Sequence, residues 1–144
     1  MSTQSPQSPT GSAEATKGVI DAYLARLAER DLDGAVRLFA EDAEWIAPGS
    51  PAVPWSGSRT GQAGVKEFFT LLHQYLQPEE FTVTHIVVDG EQGVIIGHLR
   101  DTVKANGKPL TTPFAAHLTV VGGQVTRYHL FEDTYALHLA ATGD

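Results

Sequence analysis

Apolar side chains recur at three- and four-residue spacing from the start of the ordered pattern. Val19, Ile20, Tyr23, Leu24 and Leu27 make one stripe, which predicts an amphipathic helix over residues 14–29. Asp31 then reads as the N-cap of a second helix in DLDGAVRLFAED, with Ala35, Leu38 and Phe39 facing the core. Residues 43–47 (AEWIA) read as a short strand. The stretch PGSPAVPWSGSRTG is too rich in proline and glycine for a regular element. Its Trp55 either folds back onto the core or forms a rim. A third helix follows over residues 62–76, with Val65, Phe68, Phe69, Leu72 and Tyr75 as its buried stripe and Pro78 as its stop.

Beyond Pro78 the period drops from about 3.6 to about 2. Strands are predicted at 81–89, 93–103, 110–121 and 124–132, separated by turns at Asp89-Gly90, Asn106-Gly107 and Gly122-Gly123. Residues 135–141 form a short terminal helix or an extended tail. Three helices followed by an antiparallel meander argue for an α+β fold, with helices covering one face of a sheet. Residues 1–13, nearly free of apolar side chains, read as a disordered tail ahead of one domain over 14–141.

Composition narrows the function classes. The 144 residues carry 17 acidic and 10 basic side chains, a net charge of -7, the wrong sign for a generic nucleic-acid binder. There is no cysteine, which removes disulfides, thiolate metal sites and cysteine catalysis. No apolar run nears the roughly 20 residues of a membrane span, and no secretory signal is apparent, so a cytoplasmic protein without membrane association is expected. Phosphate-binding glycine loops, HExxH and GxSxG are absent from the sequence. No metal and no other cofactor is indicated.

Candidate chemistry lies on the strands. One face of the second long strand carries Val94, Ile96, His98, Arg100 and Thr102; the other carries Ile95, Gly97, Leu99, Asp101 and Val103. Both begin apolar, so the pattern leaves open which one looks inward. If His98 and Arg100 do, they line a cavity and need an acid such as Glu132 or an anionic ligand. On the last strand Tyr128, Leu130 and Glu132 share a face. Glu132 and the adjacent Asp133 point to opposite faces, and Asp133 suits a helix cap.

Taken in order, DLDGAVRLFAEDAEW, PWSGSRTGQAGVKEFF, the glycine-turned strands and VTRYHLFEDTYAL resemble the nuclear-transport-factor-2-like superfamily, and within it the SnoaL-like, ketosteroid-isomerase-related proteins. The resemblance implies a cone-shaped, cystatin-like fold in which three N-terminal helices pack on a strongly curved, mixed and mostly antiparallel sheet around a pocket. A homodimer is implied as well. The fold hosts many chemistries, so it does not supply the function. Against ketosteroid isomerase, Tyr23 falls on the catalytic tyrosine, whereas the two aspartate positions fall on Ala47 and near Ala116. Against limonene-epoxide-hydrolase-like enzymes, the Arg-x-Asp pair falls on His98 and Arg100, the late aspartate on Leu130, and the water-holding pair on Trp45 and Ala47. A one-residue slip in these correspondences would exchange faces.

Two functions follow. The first is an isomerase, cyclase or hydratase-type acid/base enzyme for a small apolar carbonyl or polyketide-like compound. Tyr23 donates to a developing oxyanion, His98 or His117 shuttles a proton with Glu132, and Arg100 holds an anionic oxygen. Trp45, Ala47, Trp55, Phe68, Leu72, Ala116, Tyr128 and Leu130 line the pocket. The second is a non-catalytic small-molecule binder or dimeric scaffold, favoured by the loss of the family's acid/base positions.

Overall fold

The computed structural model describes residues 9–143. The elements run α1 (Pro9–Ala28), α2 (Leu32–Val36), β1 (Phe39–Ala47), β2 (Gly57–Thr60), α3 (Gly61–Tyr75), β3 (Leu76–Asp89), β4 (Gln92–Val103), β5 (Pro109–Val121), β6 (Gln124–Glu132) and α4 (Thr134–Thr142). Helix α1 begins upstream of the predicted start at residue 14. Proline suits a first helical position, since it has no N–H to leave unpaired there. Residues 1–8 of the expected tail lie outside the described residues. Among the described residues, no helix is long and apolar enough to cross a membrane.

The six strands form one sheet in the order β2-β1-β6-β5-β4-β3. All neighbours are antiparallel except β1 and β6, so the α+β sheet is mixed. The expected cone is corrected on two counts. Only two helices precede the first strand, because α3 follows β2 and α4 closes the chain. The sheet is not strongly curled either: it is an open ladder, with β2 and β3 as separate edges that do not pair. The helices, not a wrapping sheet, cover the inner face. α1 packs on β3, β4 and β5, and α3 on β1, β2 and β3.

Two element changes have a tertiary cause. The predicted second helix stops at Val36, and Phe39 starts a strand, because Phe39 pairs with Val125 of β6 and the Val125 N–H donates to the Leu38 carbonyl at 2.9 Å. Pro78 does not end α3; it lies inside β3, opposite Asp101 and beside a register shift. β3 is an edge strand, where a missing N–H breaks no inner ladder.

The core joins the helices to the inner face of the sheet. Ile20, Phe39, Trp45, Val65, Ile95, Leu118 and Val125 are fully enclosed. The buried Thr16 hydroxyl donates to the Gly90 carbonyl at 2.7 Å and pins α1 to the β3–β4 turn. Gly97 sits where β3 presses closest. A Cβ there would lie 1.9 Å from the Thr82 carbonyl oxygen and 2.9 Å from the Phe114 ring.

Candidate functional site

Between α1, α3 and the inner face of the sheet lies a cavity of about 740 Å³. Its walls are mainly apolar and aromatic. Tyr23 and Leu24 come from α1, Phe68, Phe69 and Leu72 from α3, Trp45 from β1, Phe81 from β3, Phe114 from β5, and Tyr128 and Leu130 from β6. Trp55 completes one wall and is itself buried. Its loop is held by Arg59, which donates to the Trp55 carbonyl at 2.9 Å and pairs with Glu67 at 2.9 Å. Ser50 in that loop meets His138 Nδ1 of α4 at 2.6 Å.

The strand register decides which side chains reach this space. Ile95, Leu99 and Asp101 look inward from β4, in register with Ala116, Thr112 and Leu110 of β5. Tyr128 and Glu132 look inward from β6, opposite Leu118 and Phe114. His98 and Arg100 therefore project from the opposite face, where both are exposed, and Arg100 lies 3.9 Å from Glu80. They do not join Glu132. His117 is also on the outer face, in register with His129 and 2.8 Å from Gln92 Oε1. Ala47 and Ala116 are buried but do not form part of the cavity wall. Tyr23, Trp45, Trp55, Phe68, Leu72, Tyr128, Leu130 and Glu132 do. Asp133 caps α4, accepting from the Ala136 N–H at 3.0 Å.

Two polar groups are built into the walls. In the first, Tyr23 donates to the Tyr128 hydroxyl at 3.3 Å. Tyr128 thereby keeps its own proton for another acceptor. Burial raises the pKa of both phenols, and the nearby Glu132 charge raises that of Tyr128 further. Both hydroxyls stay protonated donors across the physiological range. Trp45 stacks on Tyr128 at 4.3 Å and 2°, and its buried indole N–H has no partner among the described residues.

The second group is the carboxyl pair Asp101 and Glu132. Neither makes a hydrogen bond or ion pair with the described residues. Burial pushes Glu132 up to about 7, with the Asp101 charge adding to it. Burial also pushes Asp101 up to about 6, with Glu79 adding to it. Both carboxyls are thus shifted toward neutral pH, which suits proton transfer within a shielded site. Asp101 was legible only as an acid in an otherwise apolar strand stripe; the sequence drew attention to Arg100 beside it.

The cavity mouth is polar and carries Arg30, His73, Glu79 and Glu80. The His73 pKa is lowered by burial and by Lys104 and Arg30. Among the described residues, no group of three or more His, Asp or Glu is arranged to hold a metal ion.

Residues 20–128 match the family model described as a SnoaL-like domain. No curated protein matches the sequence. Solved structures are similar over most of the chain. An NTF2-like protein from Burkholderia xenovorans aligns with a TM-score of 0.80 at 23% identity, over 90% of this chain and 97% of that one. TerC, co-crystallised with polyporic acid, aligns with a TM-score of 0.67 at 26% identity, over 89% and 98%. A Catenulispora acidiphila protein of ketosteroid-isomerase-like fold, in complex with trimethylamine, aligns with a TM-score of 0.71 at 18% identity, over 87% and 92%. These likenesses establish the fold.

Proposed function

The chain belongs to the SnoaL-like domain family, and from that premise we propose that it is an acid–base enzyme for a small, ring-bearing, largely apolar carbonyl or polyketide-like compound. One observation carries this reading: two carboxyls without partners, Asp101 and Glu132, open into an aromatic cavity large enough for such a molecule. The co-crystallisation of the similar protein TerC with polyporic acid supports a small organic ligand.

In the proposed reaction the Asp101 carboxylate takes a proton from the carbon next to the carbonyl. The C–H electron pair moves into the new C=C bond, and the carbonyl π pair moves to oxygen. The Tyr128 hydroxyl, aligned by Tyr23, donates a hydrogen bond to that oxyanion. Protonated Glu132 then returns a proton to carbon as the oxyanion pair re-forms the carbonyl, giving the isomer or exchanged ketone; Asp101 releases its proton to solvent and Glu132 takes one up, restoring both groups.

The test is NMR of hydrogen–deuterium exchange next to the carbonyl of 1-tetralone and 2-tetralone in D2O. Wild type should accelerate exchange, and Asp101→Asn combined with Glu132→Gln should abolish the acceleration. Absence of acceleration by wild type, or full activity of the double variant, overturns the catalytic reading and leaves ligand binding without turnover.

The homodimer belongs to the same proposal. Ile96 and Phe131, in register through Ala115 on the outer face, are 36% and 50% exposed, which supports cover by a second copy. Sedimentation velocity should show a dimer that Phe131→Glu dissociates; a wild-type monomer rejects it.

A further inference from the structure

Arg30 is the only non-glycine residue with positive φ among the described residues, at 59°. It directly follows the last turn of α1. Its N–H donates to the Leu27 carbonyl at 3.0 Å, and the Asp31 N–H donates to the Arg26 carbonyl at 2.9 Å. This bond pair closes a helix around a left-handed residue, a place glycine fills without the steric cost of a Cβ. The chain holds an arginine there instead, exposed and part of the cavity lining.

The guanidinium has no hydrogen bond or ion pair among the described residues. Arg26, Arg59, Arg100 and Arg127 have acidic partners; Arg37, like Arg30, has none among the described residues but is not part of the cavity lining. The acids on the same rim each accept a hydrogen bond and make no ion pair with Arg30. Asp31 accepts from the Gly34 N–H at 2.8 Å, Glu79 from the Thr102 hydroxyl at 2.8 Å, and Glu80 from the Thr82 hydroxyl at 3.3 Å. Arg30 and Lys104 both act on His73, with the Lys104 ammonium donating to the His73 carbonyl. The rim therefore carries one arginine without an ion-pair partner, beside Asp31, Glu79 and Glu80, over a mainly apolar interior that also holds Asp101 and Glu132. Backbone strain tends to persist where a site uses the strained residue.

Resting on the cavity's role as a small-molecule site, we infer that Arg30 is a specificity residue: it binds an anionic group, such as a carboxylate or sulfonate, at the outer end of an apolar ring-bearing ligand. The ligand's other end then reaches Asp101 and Glu132. A ligand without the anion fills the same space but gains nothing from Arg30.

Two fluorescent probes separate the terms. 8-Anilinonaphthalene-1-sulfonate and N-phenyl-1-naphthylamine share one aromatic skeleton and differ by the sulfonate. Titrated into the full chain, the sulfonate should bind about tenfold more tightly, as a charge-assisted contact implies. Arg30→Gly, which suits the left-handed backbone, should remove that preference and leave the neutral probe unchanged. Arg30→Lys should keep part of it. Leu130→Trp, which fills the cavity, should weaken both probes. Equal affinity of the two probes, or sulfonate binding unaffected by Arg30→Gly, overturns the inference about Arg30 alone. If neither probe binds, or Leu130→Trp weakens neither, the cavity reading itself fails.

Discussion

Tyr23 and Tyr128, brought from the first helix and the last strand, meet hydroxyl to hydroxyl at 3.3 Å in the cavity wall. The two rings also meet edge to face at 5.6 Å. Burial keeps both phenols from ionising. An absorbance titration into the alkaline range should therefore find two tyrosines silent until the protein unfolds. Tyr23→Phe should cost about 1 kcal/mol of stability through the lost hydrogen bond. Exchange activity should fall with it, since Tyr128 then lacks its aligning donor; unchanged activity removes the pair from the mechanism.

The two cavity-facing acids set a pH dependence of definite sign. Asp101 and Glu132 have pKa values of about 6 and about 7 in the folded state, above the usual carboxylate range. The folded state thus binds more protons than the unfolded state, and stability is lost as pH rises from about 4 to about 7. Glu132→Gln should stabilise the protein by about 1–3 kcal/mol at pH 8 and by little at pH 4. Denaturant melts at the two pH values check this, and equal effects at both contradict it.

Gly97 is predicted to tolerate no side chain. A Cβ would stand 1.9 Å from the Thr82 carbonyl oxygen, a backbone atom that no rotamer change can move. Gly97→Ala should cost at least about 2 kcal/mol and loosen the β3–β4 pairing. Chemical denaturation measures the cost; a neutral result means β3 can shift.

Arg30→Gly should raise stability by about 0.5–1 kcal/mol, because the left-handed position penalises a side chain. A thermal melt that rises while sulfonate binding falls would identify Arg30 as a residue held at a structural cost. A fall in both would mean that its side chain also supports the helix end.

His98→Ala and Arg100→Ala should each leave stability within about 0.5 kcal/mol of wild type and leave probe binding unchanged. Both side chains stand on the exposed face, and the Arg100 pairing with Glu80 is long at 3.9 Å. A loss of binding on either change would contradict the strand facing.

Local chemistry made much of this protein readable from its sequence. Turn glycines at 90, 107, 122 and 123 all take positive φ, and a turn needs only its own few residues to be recognised. The α3 stripe of Val65, Phe68 and Phe69, the β6 bounds and the Asp133 cap are local in the same sense, although Tyr75, expected in that stripe, is exposed at the helix end. The site was less legible. Alternation along β4 put Arg100 and Asp101 on opposite faces, yet both faces begin apolar, so sequence could not say which acid or base would be enclosed. Docking of α1 on β3, β4 and β5 decided it, enclosing Asp101 and leaving Arg100 in water. The turn of Phe39 into a strand depended on Val125, and Pro78 lay in a strand because β3 became an edge. The sequence by itself determined the turns, most of the local elements and the alternation of side chains. Only the tertiary structure decided which face was buried, and with it which carboxyls lost their water and became able to exchange a proton near neutral pH.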